Sequence, residues 1–451
     1  MKDRFGFDWS NVKGAPFWSK PQLGRRMFFR HAATAVGGYF LLPTRPMEHV
    51  AHAGVTTQSK AKNCIFIMMA GAPSHTDTFD LKEGNSFPVA QFKPAKFNGV
   101  LFPQGLMPQI AAQLDSIVLV RSARAWASAH GLMQNWLQIG RNPASPTSKI
   151  SPHIGSVVSM ELSAKGAILP AFMALNGTPP AGAGYFPVAH APFLVTAGSP
   201  LPNTTHRDGS LRFSSRSDLL LASEGASGAY ADLGSGPAEM EEWKSRSRML
   251  MYNSKVDQIF ALDQTERIRY GNSRFGDACL TARNLLRANM GTRFIQITFG
   301  SWDHHTNLYP QLTTMATQYD AGFGPLLADL KTDGLLDQTF IVSQGEFGRT
   351  VGPLNGNGGR DHFTQQAILF AGGGVKGGRA IGVTDERGAQ TVEPQWVRDR
   401  PVRPEDTEAT IYSALGIDWT TLRRDTPFGR GFEYVPNSDQ DLYGPINELW
   451  G

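Results

Sequence analysis

The chain has 451 residues, of which 41% are hydrophobic and 18% charged, with a formal net charge of +4. This globular composition excludes a disordered chain, and the length suits one large domain or two average ones. The basic excess is small and scattered, and no Lys/Arg run with interleaved aromatics follows the N-terminal region, so no nucleic-acid partner is expected.

Residues 23–43 read LGRRMFFRHAATAVGGYFLLP, with Arg25 and Arg26 followed by Phe28, Phe29 and an apolar segment from Ala32 to Leu42. Eleven apolar residues are too few for a bilayer, which needs about 20, but they suit a signal peptide. Ala51-His52-Ala53 supplies a small-x-small cleavage site. The whole resembles a twin-arginine export signal, which predicts removal of residues 1–53, engagement of the twin-arginine export machinery and a periplasmic or extracellular mature protein. The mature chain, from residue 54, is expected to be a single domain with no integral membrane segment.

Residues 63–71 predict a first strand buried on both faces. A helix is expected over 105–115, a strand over 116–122, and helices over 130–139 and 151–163, the last with Ser151 to cap and Pro152 in the first turn. From 176 to 236 the chain turns rich in Gly, Pro, Ala and Ser, which predicts an irregular insertion of surface loops. Residues 237–290 return to a helical pattern. A strand over 293–299, a helix over 310–333, strands over 338–345 and 367–374 and a helix over 403–416 complete the order. Alternating strands and helices predict an α/β fold with a mainly parallel central sheet flanked by helices. The two cysteines, Cys64 and Cys279, sit in apolar or helical stretches, which argues against a disulfide framework and a Cys-based zinc site. One long-range disulfide between them stays open.

Four polar clusters follow apolar strands, where ligands of such sheets bind. They are residues 71–80 with Ser74, His75 and Asp77; residues 301–307 with Asp303, His304 and His305; residues 345–350 with Glu346 and Arg349; and residues 355–362 with Arg360, Asp361 and His362. Each alone reads as a cap, a turn or a paired charge. Together they offer the carboxylate and imidazole ligands of zinc, manganese or iron. In extended chain, residues two apart point the same way, so Asp303 and His305 face one metal and His304 points elsewhere. Asp361 and His362 face apart, so Asp361 supports a ligand or serves a different ion. Arg349 and Arg360 supply forked donors suited to a sulfate, phosphate or carboxylate. His130 stands at a predicted helix start, a place that favours anions and nucleophiles.

These residues carry a resemblance. GEFGRT, NGNGGRDH, GGGVKGGRAIGVTD and EATIYSALGID, in that order, look like the bacterial domain-of-unknown-function family fifteen-oh-one, and MAGAPSHTDTFDLK and SWDHHTN resemble its other signatures. The match spans about residues 62–418. The resemblance implies an alkaline phosphatase-like α/β/α sandwich of the phosphatase and sulfatase superfamily, holding one or two divalent ions (zinc, manganese, iron or calcium). Carried over by position, Asp303, His305, Glu346, Asp361 and His362 look like metal ligands, although Glu346 stands where an Asp is usual and Phe347 where a His is usual. By the same comparison Ser128 and His130 lie near the nucleophile position, with Arg349 and Arg360 as catalytic charges and Ser74, His75 and Asp77 as further candidates after the first strand. The function implied is an exported metal-dependent hydrolase of a sulfate or phosphate ester, with an anionic ester or a sulfated or phosphorylated glycan as substrate. The alternatives are a non-catalytic glycan- or anion-binding envelope protein on the same fold and a component of an exported complex.

Overall fold

Every residue of the first strand, β1 (Asn63–Met68), is buried. Successive side chains of a strand point to opposite faces. Cys64, Phe66 and Met68 therefore enter one apolar cluster, while Ile65 and Ile67 enter another. The computed structural model describes residues 55–84, 87–227, 236–427 and 429–451. The expected export signal lies outside the described residues. Among the described residues, no helix is long and apolar enough to cross a membrane.

Seven further strands complete the central sheet: β2 (Ile117–Arg124), β3 (Phe172–Leu175), β4 (Phe193–Val195), β5 (Phe294–Thr298), β6 (Thr339–Gln344), β7 (Gln365–Gly372) and β8 (Arg379–Ile381). Their order is β8-β2-β7-β6-β1-β5-β3-β4. Only β7 runs against its neighbours; the other pairings are parallel. The fold is thus α/β with a mainly parallel central sheet. Five helices bear on the site and the core: α1 (His130–Ile139), α2 (Ile154–Leu162), α3 (Arg274–Ala288), α4 (Leu308–Thr332) and α5 (Pro404–Ala414). Side chains of α3 and α4 join the cluster on one face of the sheet, and side chains of α2 and α5 join the cluster on the other. Each large apolar side chain so buried contributes about 1.5–3 kcal/mol.

Three expectations change. The predicted helix over 105–115 shrinks to Pro108–Ala111 and a 3₁₀ turn at Leu114–Ser116. There the Asp320 carboxylate accepts the Ile110 N–H at 2.8 Å, tying the short turn to α4. The stretch 176–236 is not all loop: it supplies the edge strand β4 and a helix, Gly209–Ser227. Strands β3, β4 and β8, of three or four residues each, are too short for a periodic signal in the sequence. Cys64 and Cys279 are both free and buried, so the disulfide left open by the sequence is not formed.

Candidate metal centre

The loops that follow β1, β2, β5 and β6, together with the one that precedes β7, meet at one rim of the sheet. Gly71, just past β1, makes this meeting possible. Its φ is +103°, and a Cβ there would stand 2.7 Å from the backbone nitrogens of Trp302 and Asp303. On the far side Gly359 lies against His305, where a Cβ would come within 2.0 Å of the His305 carbonyl carbon. After β6 the chain forms a short antiparallel ribbon in which Arg349 pairs with His362. After β2 it enters α1, whose first residue is His130.

Three atoms converge. His130 Nε2 lies 3.0 Å from His362 Nε2. Asp303 Oδ1 lies 3.4 Å from the first and 3.5 Å from the second. One point therefore sits about 1.9 Å from all three, close to the ~2.0–2.1 Å of zinc–nitrogen and zinc–oxygen bonds. His305 Nε2 stands beside this triangle, 3.0 Å from both Asp303 Oδ1 and His362 Nε2.

The other nitrogen of each imidazole is held by an oxygen. Nδ1 of His130 meets Glu346 Oε1 at 2.6 Å, Nδ1 of His305 meets Asp361 Oδ1 at 2.9 Å, and Nδ1 of His362 meets the Ser128 carbonyl at 2.9 Å. Carboxylate and carbonyl oxygens only accept, so each Nδ1 carries a proton and each ring turns its Nε2 toward the centre, where it presents a lone pair to any bound cation. Facing lone pairs 3.0 Å apart repel unless a proton or a cation lies between them. Histidines that ligate metals are oriented in this way by outer carboxylates and carbonyls. The donor set thus fits a divalent ion held by His130, Asp303 and His362.

The hydrogen bond that His130 donates to Glu346 raises the His130 pKa and favours its imidazolium wherever no cation takes the proton's place, while burial lowers that of His362. Burial pushes the Asp303 carboxyl up, but the hydrogen bond and charge of Arg349 more than offset it, and the net shift is downward. The His305 hydrogen bond holds the Asp361 carboxyl below its usual range. Phe347, in the place where the resemblance expects a histidine, is buried with its ring 4.8 Å from both His130 and His362. It packs the two imidazoles and ligates nothing.

Several expected roles are corrected. Glu346 is fully buried, and its oxygens are taken up by His130, by Gln134 at 2.8 Å and by the Gly71 N–H at 3.0 Å, so it stands behind His130 and outside the converging atoms. Asp361 likewise holds His305. His130, expected as a catalytic group, stands among the converging atoms. Ser128 enters through its carbonyl. Arg349 is not an open anion clamp: its donors go to Ala72 O, Gly71 O, Arg360 O, Asp303 Oδ1 at 2.5 Å and His305 Nε2 at 3.4 Å. Arg360 is fully buried, with Nε 2.6 Å from Asp77 Oδ2 and Nη1 bonded to the Thr350 and Gly352 carbonyls. Ser74 donates to the same Asp77 oxygen, and His75 Nε2 meets the Gly388 carbonyl at 2.8 Å. These first-strand residues brace the loops from beneath and do not line the centre. His304 is buried beside Trp302, away from the triangle. Sequence reading missed Gln134 and Asn355. Gln134 lies four residues after His130, on the same helix face, a spacing that could have found it. Asn355 holds Asp361 Oδ1 at 3.2 Å across a loop, and no local pattern marks it.

The fold has distant likenesses among solved structures. The phosphonate monoester hydrolase SpPMH from Silicibacter pomeroyi is 14% identical over 86% of this chain and 77% of its own, with a TM-score of 0.41. A putative sulfatase from Bacteroides thetaiotaomicron is 10% identical over 82% and 73%, with a TM-score of 0.38. The lipoteichoic acid synthase LtaP from Listeria monocytogenes is 10% identical over 81% and 74%, with a TM-score of 0.37. No curated protein matches the chain. A family model described as Protein of unknown function (DUF1501) matches residues 61–440. The chain belongs to the DUF1501 family.

Proposed function

We propose that this protein is an exported hydrolase of sulfate or phosphate esters that works with one divalent metal ion held by His130, Asp303 and His362. The observation that carries the proposal is the convergence of two imidazole Nε2 atoms and one carboxylate oxygen whose outer partners are already in place. The ion would supply Lewis acidity toward an ester oxygen and so stabilise charge that develops there. The chain's own residues do the rest. Glu346 and the Ser128 carbonyl fix the tautomers of His130 and His362. Arg349 fixes Asp303 and keeps a positive charge beside it, which favours an anionic ester. His305, half-buried and backed by Asp361, is the group placed to take the proton of an attacking water. Water attacks the sulfur or phosphorus as one of its protons passes to His305; the bond to the ester oxygen breaks, that oxygen takes the proton back from His305 and leaves as an alcohol, and sulfate or phosphate is released.

Elemental analysis of the natively exported protein tests the reading. About one equivalent of a transition metal is expected, together with hydrolysis of p-nitrophenyl sulfate or p-nitrophenyl phosphate that a chelator abolishes and metal restores. His362→Ala should lose both the metal and the turnover. A metal-free native protein with no metal-restored hydrolysis would sink the proposal. Export is tested separately: replacing Arg25 and Arg26 together by lysine should leave the protein in the cytoplasm.

A second reading, an envelope protein that binds a glycan or anion without turnover, is favoured by two observations. Ser128 meets the centre through its carbonyl, and the donors of Arg360 are taken up within the protein. Metal binding with normal affinity but no turnover on any ester would select it.

A further inference from the structure

Trp126 and Trp136 stack at the protein surface with ring centroids 6.1 Å apart and planes 25° from parallel. One buried carboxylate, Glu405, accepts from both indoles: Trp126 Nε1 at 2.9 Å and Trp136 Nε1 at 2.8 Å. The Arg403 guanidinium lies 4.0 Å above the Trp126 ring. Glu405 and Arg403 thus lock this pair, yet 41% of Trp126 remains exposed. A large aromatic held rigid and left partly in water is a feature of recognition surfaces.

The two indoles wall a cavity of about 460 Å³, whose other lining residues include Arg141, Asn142, Glu433 and Asn437. Arg141 is 8% exposed. Its Nη2 and Nε donate to backbone carbonyls, and among the described residues its Nη1 has no hydrogen-bond partner. The wall therefore offers aromatic surface with nearby donors and acceptors, and charges of both signs. That mixture does not select a simple anion. It matches a ring with one apolar face and many hydroxyls.

The cavity is joined to the metal centre by covalent structure. Trp126 lies two residues before Ser128, whose carbonyl holds His362. Trp136 lies six residues after His130 on α1, about 9 Å along the helix axis. A chain of sugars can span that interval.

We infer that the Trp126–Trp136 cavity is a sugar-binding subsite that seats a neutral pyranose of a glycan whose esterified unit reaches the metal centre. The inference rests on the proposed ester hydrolase and names a glycan as the carrier of its ester. It adds a second site, with its own residues, that sets which glycan is taken.

Isothermal titration of the full-length exported protein tests it, with a panel of neutral hexasaccharides as probes: maltohexaose, cellohexaose, laminarihexaose, xylohexaose, mannohexaose and neoagarohexaose. At least one should bind with a dissociation constant of a millimolar or tighter. Trp126→Ala should weaken it at least tenfold. Trp126→Phe, which keeps aromatic surface and guards against misfolding of the alanine variant, should weaken it about threefold. His362→Ala, which strips the metal centre, should leave hexasaccharide affinity within twofold. Failure of the metal proposal would thus leave the sugar isotherm standing, and failure of the subsite would leave the metal content standing. Absence of binding across the panel, or unchanged affinity in both Trp126 variants, overturns the inference.

Discussion

Two clusters of the same residue types lie within a few residues of each other in this protein and do opposite things. Beneath the rim, Ser74, His75, Asp77 and Arg360 are buried, and their hydrogen bonds run to one another and to backbone. At the rim, His130, Asp303, His305 and His362 are partly open to solvent, and their acceptor atoms point at one another. In the first cluster donors meet acceptors, which closes the account of its polar groups. In the second, Arg349 reaches Asp303 and His305 from one side, but the Nε2 atoms of His130 and His362 meet acceptor to acceptor, which leaves room for a cation. An Asp, a His and an Arg near a strand end thus mean little until the direction of each donor is known.

The contrast can be broken by mutation, and the largest effect belongs to the buried cluster. Arg360→Ala leaves the Asp77 charge buried without its guanidinium and should cost about 3–5 kcal/mol of folding stability, read by urea denaturation. Metal affinity of the folded fraction should change less than twofold. A loss of metal with unchanged stability would reverse the roles assigned to the two clusters.

Next comes Glu346→Gln, which replaces the acceptor that fixes the His130 tautomer. Metal affinity, read by competition with a chelator, should fall about 10–100-fold. Equal affinity in the variant would mean that His130 does not ligate.

Asp361→Asn should act more mildly, since this carboxylate supports His305 and not the triangle. The expected outcome is about tenfold lower kcat with full metal content. Metal loss in this variant would move His305 from proton acceptor to ligand.

A last effect lies away from both clusters, at Glu408 on α5. Burial pushes its carboxyl up to about 8. One oxygen accepts from Tyr412 at 2.8 Å, and among the described residues the other has no hydrogen-bond partner. The folded pKa stands above the unfolded one, so the folded state binds more protons between about 4.5 and 8. The stability contributed is full below that window and is lost as pH rises through it. Thermal melts should therefore drop from pH 5 to pH 8.5, and Glu408→Gln should flatten that slope.

Much of the fold was legible because periodicity is local. The buried alternation of residues 63–68 and the start of α1 at His130 follow from side-chain direction in strands and helices. The antiparallel course of β7 and the three short strands had no such signal. The site divides in the same way. His362 and Asp303 were visible as ligand-type residues after strands. The i, i+2 rule paired His305 with Asp303 and left out His130, because it describes one extended segment and the centre is built from several.

The sequence alone determined the chemistry on offer: imidazoles and carboxylates without usable cysteines, set beside strand ends in an α/β chain of the DUF1501 family. Only the tertiary structure decided which of them act together. Glu346 and Asp361 became holders of histidines, Arg360 became the partner of a buried aspartate, and His130 joined the converging atoms. The physical reason is that a hydrogen bond has a direction and a carboxylate serves whichever donor reaches it. That choice is fixed by loops distant in sequence that Gly71 and Gly359 allow to touch.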